Sequence, residues 1–137
     1  MKPPKEILER LAKLEGWIDI AECELLYDLA SQIDDYCIVE IGSYRGKSTV
    51  SLGLGSLAGY GVNVYAIEPH LLFVSAAGSK FDGPKDKVVF LDNLPMIIVT
   101  GKHLHYRDWE TPPKKVLPDP VPARNRFIAA VDLSIDI

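Results

Sequence analysis

The stretch Tyr36-Cys-Ile-Val-Glu-Ile-Gly-Ser-Tyr-Arg-Gly-Lys-Ser-Thr49 constrains this chain more than any other. Cys37 to Ile41 is short, rich in β-branched residues and closed by a glycine, the pattern of a buried parallel strand. Gly42 and Gly46 follow, and Lys47 to Leu57 can form a helix. Strand, glycine turn and helix in that order aim backbone N–H groups at a ligand. Glycine at 42 permits a tight turn, and glycine at 46 permits close approach of the backbone to a ligand. Bulk added at Gly46 is therefore expected to point into the site rather than the core.

Three nucleotide-site patterns compete for this loop. The dinucleotide fingerprint G-x-G-x-x-G fails, because Ser43-Tyr44 stands where its second glycine should come. The P-loop places four residues between its glycines; here Gly42 and Gly46 enclose three, and Ile41 occupies the P-loop glycine position. The third pattern, acid-x-Gly-x-x-x-Gly, is met by Glu40-Ile-Gly42-Ser-Tyr-Arg-Gly46 without adjustment. Outside these patterns the loop reads as an ordinary βα turn.

The third pattern resembles motif I of the class I S-adenosylmethionine (SAM) dependent methyltransferases. The longer string Val-Glu-Ile-Gly-Ser-Tyr-Arg-Gly-Lys-Ser is similar to the form in small O-methyltransferases of the catechol and macrocin type, which read E-x-G-x-Y-x-G-x-S. The resemblance implies that Glu40, Gly42, Tyr44, Gly46 and Ser48 line the methionine end of the cofactor, with Ser43 in the same turn.

The second half of the site is Val62-Asn-Val-Tyr-Ala-Ile-Glu68-Pro-His70, another apolar run that ends in a carboxylate. An acid about 20 residues beyond the glycine turn, at the end of the next strand, suits a ribose. A carboxylate only accepts, and two vicinal hydroxyls both donate. The resemblance implies the same role for Glu68 and brings His70 to the pocket. Read alone, Glu68 is a solvated strand-end residue whose loss should cost little stability, and His70 a solvated loop residue.

A chain of 137 residues is one domain by the usual prior. The net charge of −4 with no basic block argues against a surface built for nucleic acid or anionic membrane. There is no long apolar stretch for a membrane span, and no apolar run follows Met-Lys-Pro-Pro-Lys-Glu to make a signal peptide. Cys23 and Cys37 lack metal-ligand spacing and read as two reduced core thiols of a cytoplasmic protein.

Along the chain, the spacing of Ile7, Leu8, Leu11 and Leu14 predicts a helix over 4–15 that starts at Pro3-Pro4. After Gly16-Trp17, Asp19 and Glu22 form a capping-box pair for a second helix, with Ala21, Leu25, Leu29 and Ile33 as its buried stripe. Trp17 is expected in a core or interface. Val50, Leu54 and Leu57 share one face of the third helix, which Gly59-Tyr-Gly61 ends. Residues 71–83 read as loop, and 84–94 as a helix with Val88, Leu91 and Leu94 as its apolar edge and Pro95 as its stop. Met96 to Thr100 reads as a third strand, and Lys114 to Leu117 as a fourth. His103 and His105 are spaced as a ligand pair on a strand face but have no third ligand in view, so no metal site is assigned. The resemblance implies that Lys102 to His105 border the adenine.

The resemblance covers roughly residues 16–110, and 111–137 form a divergent tail. Pro112, Pro113, Pro118, Pro120 and Pro122 cannot belong to a central strand and a following helix. Val131-Asp-Leu-Ser-Ile-Asp136 only faintly matches the acidic strand that the family carries there, of the form Ile-Asp-Gly-x-His. The expected fold is a three-layer α/β/α Rossmann-like methyltransferase domain, incomplete, with about four or five strands and the first strand central. The expected function is SAM-dependent methyl transfer, to an oxygen of a small molecule, by a chain that is a truncated or frame-shifted remnant. The alternatives are a non-catalytic SAM-binding or subunit-interaction module and a P-loop-like ATP binder. No catalytic residue is assigned, and Mg²⁺ has no support in the residues. An open sheet edge and apolar face are expected to favour a homo-oligomer.

Overall fold

The computed structural model describes residues 1–74, 78, 80–98, 104–106 and 127–129. Helix α1 (Lys5–Leu11) starts behind Pro4, whose fixed φ suits a helix entrance. Helix α2 (Ile20–Gln32) opens on the expected capping box: Glu22 N–H donates to Asp19 Oδ1 at 2.9 Å, and Asp19 N–H donates to Glu22 Oε2 at 2.8 Å. Strand β1 (Cys37–Ile41), helix α3 (Lys47–Ala58) and strand β2 (Asn63–Ile67) form a β-α-β unit, with β1 and β2 parallel and paired from Cys37↔Asn63 to Ile41↔Ile67. Segments that read as loop include a two-residue antiparallel pair, β3 (Phe73–Val74) with β4 (Lys80–Phe81). Helix α4 (Gly83–Asn93) carries Asp82 as its N-cap, and a short helix α5 (Pro95–Ile98) follows. Strands β5 (Leu104–Tyr106) and β6 (Phe127–Ala129) pair in parallel, and β6 runs beside β2.

The core joins these helices to one face of the β1–β2 pair. Leu11, Cys23, Tyr27, Val50, Leu54, Phe90, Leu94 and Ile97 are buried together with Val64 and Ala66 of β2, and Ile38 packs against them. Each large apolar side chain so placed contributes about 1.5–3 kcal/mol relative to exposure. The opposite face is open: Val39 and Ile41 are exposed, and so is Cys37. Among the described residues β1 therefore has one strand partner and one covered face. This is a small mixed α/β domain, and the described residues give neither the three layers nor the central position expected for β1.

Three further expectations are corrected by packing. The stripe Ala21, Leu25, Leu29 and Ile33 lies on the outer face of α2, where Leu25 and Leu29 are about half exposed, while Cys23, Tyr27, Ala30 and Ser31 are buried. The cause is close approach: α3 presents Gly55 to α2, and a Cβ there would run into the Tyr27 carbonyl. Small residues, not the bulkiest apolar ones, fit that contact. In α4 Val88 is exposed, and Asp86, Phe90 and Leu94 face inward, because Asp86 is drawn in by Arg45. Met96 to Ile98 are helical rather than extended. Pro95 takes the first helical position, which its ring suits, and Met96 and Ile97 enter the core.

Residues 99–103 and 107–126 lie outside the described residues, and with them His103, the Lys114–Leu117 strand and the proline-rich segment. So does Val131 to Asp136. Among the described residues no helix is long and apolar enough to cross a membrane, and no group of three or more His, Cys, Asp or Glu side chains is placed to hold a metal ion.

Candidate functional site

The turn between β1 and α3 is built from three left-handed residues. Gly42 has φ +85°, Tyr44 +49° and Gly46 +84°. Gly42 N–H donates to the Ile67 carbonyl at 2.9 Å, so the turn leaves the sheet at the level where β2 ends. Gly46 N–H closes the turn on the Ser43 carbonyl at 2.8 Å and then serves as the N-cap of α3. Glycine offers no side chain to cap the helix, so the first N–H groups of α3 have no side-chain partner.

The two glycines do different jobs. A Cβ at Gly42 would meet nothing within 4 Å, so this position borders open space. A Cβ at Gly46 would stand 2.8 Å from Cδ2 and 3.1 Å from Cε2 of Phe90, a fully buried ring. Bulk at Gly46 therefore points into the core and not into a site, which corrects the sequence expectation. The open position is Gly42.

Tyr44 is the unusual residue, because left-handed backbone costs a non-glycine residue roughly 1–2 kcal/mol. Two side chains from the end of β2 hold it. Its N–H donates to Glu68 Oε2 at 2.7 Å, and its carbonyl accepts from His70 Nε2 at 3.0 Å. The carbonyl only accepts, so His70 carries a proton on Nε2. Glu68 Oε1 in turn accepts the His70 N–H at 3.1 Å. Glu68 is thus not a solvated strand-end acid: both of its oxygens hold backbone. Each carboxylate oxygen has a second lone-pair position, which leaves two acceptor positions for a ligand.

Glu40, the first residue of the motif, lies in β1 on the helix side and accepts from the Thr49 hydroxyl of α3. It ties strand to helix beneath the turn. Arg45 instead ties the turn to α4 and to the segment after α1. Its Nε donates to Asp86 Oδ1 at 2.9 Å, its Nη1 reaches Glu15, and its carbonyl accepts from Asn93 Nδ2 at 2.8 Å. Asp86 is almost fully buried and accepts a second bond from Asp82 N–H at 3.1 Å. The Arg45 guanidinium also lies 5.2 Å from the Tyr44 ring centroid. Burial, and secondarily the Asp86 charge, raise the Tyr44 phenol above its ordinary value.

Above the turn is a cleft of about 50 Å³, lined by Gly16, Trp17, Ile18, Gly42, Ser43, Tyr44, Arg45, Lys47 and Ser48. The hydroxyl of Ser43 is buried and has no hydrogen-bond partner. Buried polar groups are normally paired, so this orphan hydroxyl is an exception within the turn. Trp17 is not in the core: it is largely exposed and stacks near Tyr44 and Phe81, with ring centroids 6.0 and 6.3 Å away. Lys47 is buried with its stem against Gly16.

The structure therefore brings Gly42, Ser43, Tyr44 and Ser48 to one cleft, with Glu68 and His70 outside its lining and bonded to the turn at Tyr44. Glu40 lies beneath the turn, bonded to α3, and Gly46 closes the turn against Phe90. Arg45, Asp86, Asn93 and Phe90 were missed by sequence reading; the Arg45–Asp86 pair joins residues far apart in the chain, and no local pattern signals it. No protein-family model matches this chain, and no curated protein matches it.

Proposed function

We propose that the cleft binds the amino-acid end of SAM or S-adenosylhomocysteine, and that the chain is a SAM-dependent methyltransferase acting on an oxygen of a small molecule. One observation carries this reading: the open Gly42 turn and the uncapped start of α3 meet at one cleft, in a turn that also buries the unpartnered Ser43 hydroxyl and is held by Glu68. An amino-acid carboxylate suits that set, because helix N-termini and hydroxyls stabilise negative charge. Glu68 then offers its two remaining acceptor positions to ribose hydroxyls. The cleft is far below the roughly 300–1,000 Å³ of a pocket that encloses a whole ligand. It accommodates one polar end, and the nucleoside would lie over the turn toward Glu68.

When bound, SAM supplies an activated methyl group that passes to an acceptor lone pair. The protein's part is alignment, in which a near-attack geometry does most of the work. Gly42 and Ser43 would fix the amino-acid end and Glu68 the ribose. A second reading is a non-catalytic SAM-binding module. The P-loop reading is disfavoured by Lys47, whose stem packs on Gly16 rather than extending over the loop.

Calorimetry with S-adenosylhomocysteine, SAM and Mg-ATP tests the proposal. The expected result is heat from the SAM forms and little from Mg-ATP. Heat from Mg-ATP with none from either SAM form overturns it. Methyl transfer to a panel of phenolic and hydroxylated acceptors then separates the enzyme from the binding module.

A further inference from the structure

We infer that His70 is a positioning residue, and that Glu68 shares this role beside its proposed contact with the ribose: together they hold the Tyr44 peptide in the left-handed geometry that shapes the cleft. The inference rests on the proposed use of this turn as a cofactor site. The Nε2 of His70 is spent on backbone rather than left open to a ligand. What it does reach is the Tyr44 carbonyl, at 3.0 Å, while Glu68 takes the N–H of the same residue at 2.7 Å. The two bonds grip the residue's N–H and its carbonyl, the two groups whose orientation a flip of φ would change. Tyr44 needs such a grip because its φ of +49° is one that L residues avoid.

The grip is itself anchored. His70 also has a left-handed φ, +48°, and its N–H is held by Glu68 Oε1 at 3.1 Å. Its ring meets Phe90 edge-on at 5.5 Å, and Gly83 at the start of α4 packs so closely on the His70 carbonyl that no Cβ would fit. Two strained residues therefore brace one another through one carboxylate, against a buried ring and a helix start. Strained backbone that the surroundings over-determine is a mark of a site whose shape matters. A ribose bound to Glu68 would share the carboxylate that holds the turn, so the two ends of the cofactor would be coupled through Tyr44.

A glycine at 44 adopts the same φ without help. That gives a readout that a merely structural role would not move. His70→Ala should weaken S-adenosylhomocysteine about tenfold in the otherwise wild-type chain, the loss of roughly 1.4 kcal/mol of preorganisation. In the Tyr44→Gly background the same substitution should weaken it less than about threefold. Equal penalties in both backgrounds overturn the inference. A second measurement needs no ligand: amide exchange at Tyr44 should speed up at least about tenfold in Glu68→Ala and in His70→Ala, while core amides of α2 and α3 stay slow. Unchanged Tyr44 exchange overturns the inference whatever binds. A slow Tyr44 amide that both variants release, in a protein that binds no SAM form, upholds the brace and refutes the cofactor reading instead.

Discussion

Replacing Gly46 by alanine should destabilise the domain more than the same change at Gly42, although the two glycines have nearly the same φ. Both substitutions place an L residue in left-handed backbone, which costs roughly 1–2 kcal/mol. Only the first also drives a methyl group to within 2.8 Å of the Phe90 ring. Phe90 is fully buried, with Leu94 and Ile97 in the same core, so the ring cannot simply move aside. Overpacking of this kind typically costs about 1–3 kcal/mol more. The expected totals are about 2–5 kcal/mol for Gly46→Ala and about 1–2 for Gly42→Ala. Against a whole stability of about 5–15 kcal/mol, the first is severe. Urea unfolding followed by circular dichroism should show the difference in midpoint at unchanged slope. A double substitution adds a check: Phe90→Leu should be much less harmful in the Gly46→Ala background than alone, because the smaller side chain relieves the clash. Equal midpoints for the two alanine variants, or additive effects of Gly46→Ala and Phe90→Leu, would refute the reasoning.

Other expectations follow from the same contacts. Gly55→Ala should loosen the α2–α3 contact, since its methyl would run into the Tyr27 carbonyl, and a loss of several degrees in Tm, about 1–3 kcal/mol, is the measurable result. Asp86→Ala leaves the Arg45 guanidinium, itself mostly buried, with the exposed Glu15 alone; a cost at or below about 3 kcal/mol is expected in urea unfolding, and Asp86→Asn should recover part of it by keeping an acceptor. Burial raises the Tyr27 phenol, and burial with the Asp86 charge raises that of Tyr44. The folded state then holds these protons more tightly than the unfolded one, so stability is intact below the ordinary tyrosine value near 10 and falls as pH rises above it. Tyr27→Phe should flatten that alkaline fall in unfolding midpoints between pH 9 and 11, and an unchanged slope would count against it.

The local signals in this sequence were legible because each reports on its own few residues. Asp19 and Glu22 predict a capping box, and the structure has it; Gly59 ends α3; Pro4 opens α1; Pro84 stands in the first turn of α4. The orientation of helices was not legible, because it is set by partners. The repeat of Leu25 and Leu29 marks an apolar stripe on α2, but the face that α3 accepts is the one with Ala30 and Ser31, where backbones can approach. Likewise Val88 lost its place in the core to Asp86, whose bond to Arg45 rotates α4, and a carboxylate is not a residue that hydrophobic patterning places inside. Met96 to Ile98 were read as strand from composition, yet the proline before them favours a helical start more strongly than three apolar residues favour a strand.

At the site, residue identities were legible and residue tasks were not. The pattern Glu40-x-Gly42-x-x-x-Gly46 located the turn, and Glu68 at the end of the next strand located its neighbour, because parallel pairing in register brings those strand ends together. What each residue does depends on where its polar atoms or its missing Cβ end up. Gly46 turned out to spare a phenyl ring and Gly42 to leave space; Glu68 turned out to hold a backbone N–H that no pattern mentions. A motif constrains residue type, and type is constrained equally by a ligand or by a neighbouring loop. Under the proposed function Glu68 would meet both demands with one carboxylate. Its substitution would then mix lost ligand contact with a released turn, and affinity measured on Glu68→Ala alone would overstate the ribose contribution. His70→Ala releases the turn but keeps the carboxylate, so the difference between the two variants isolates the direct contact.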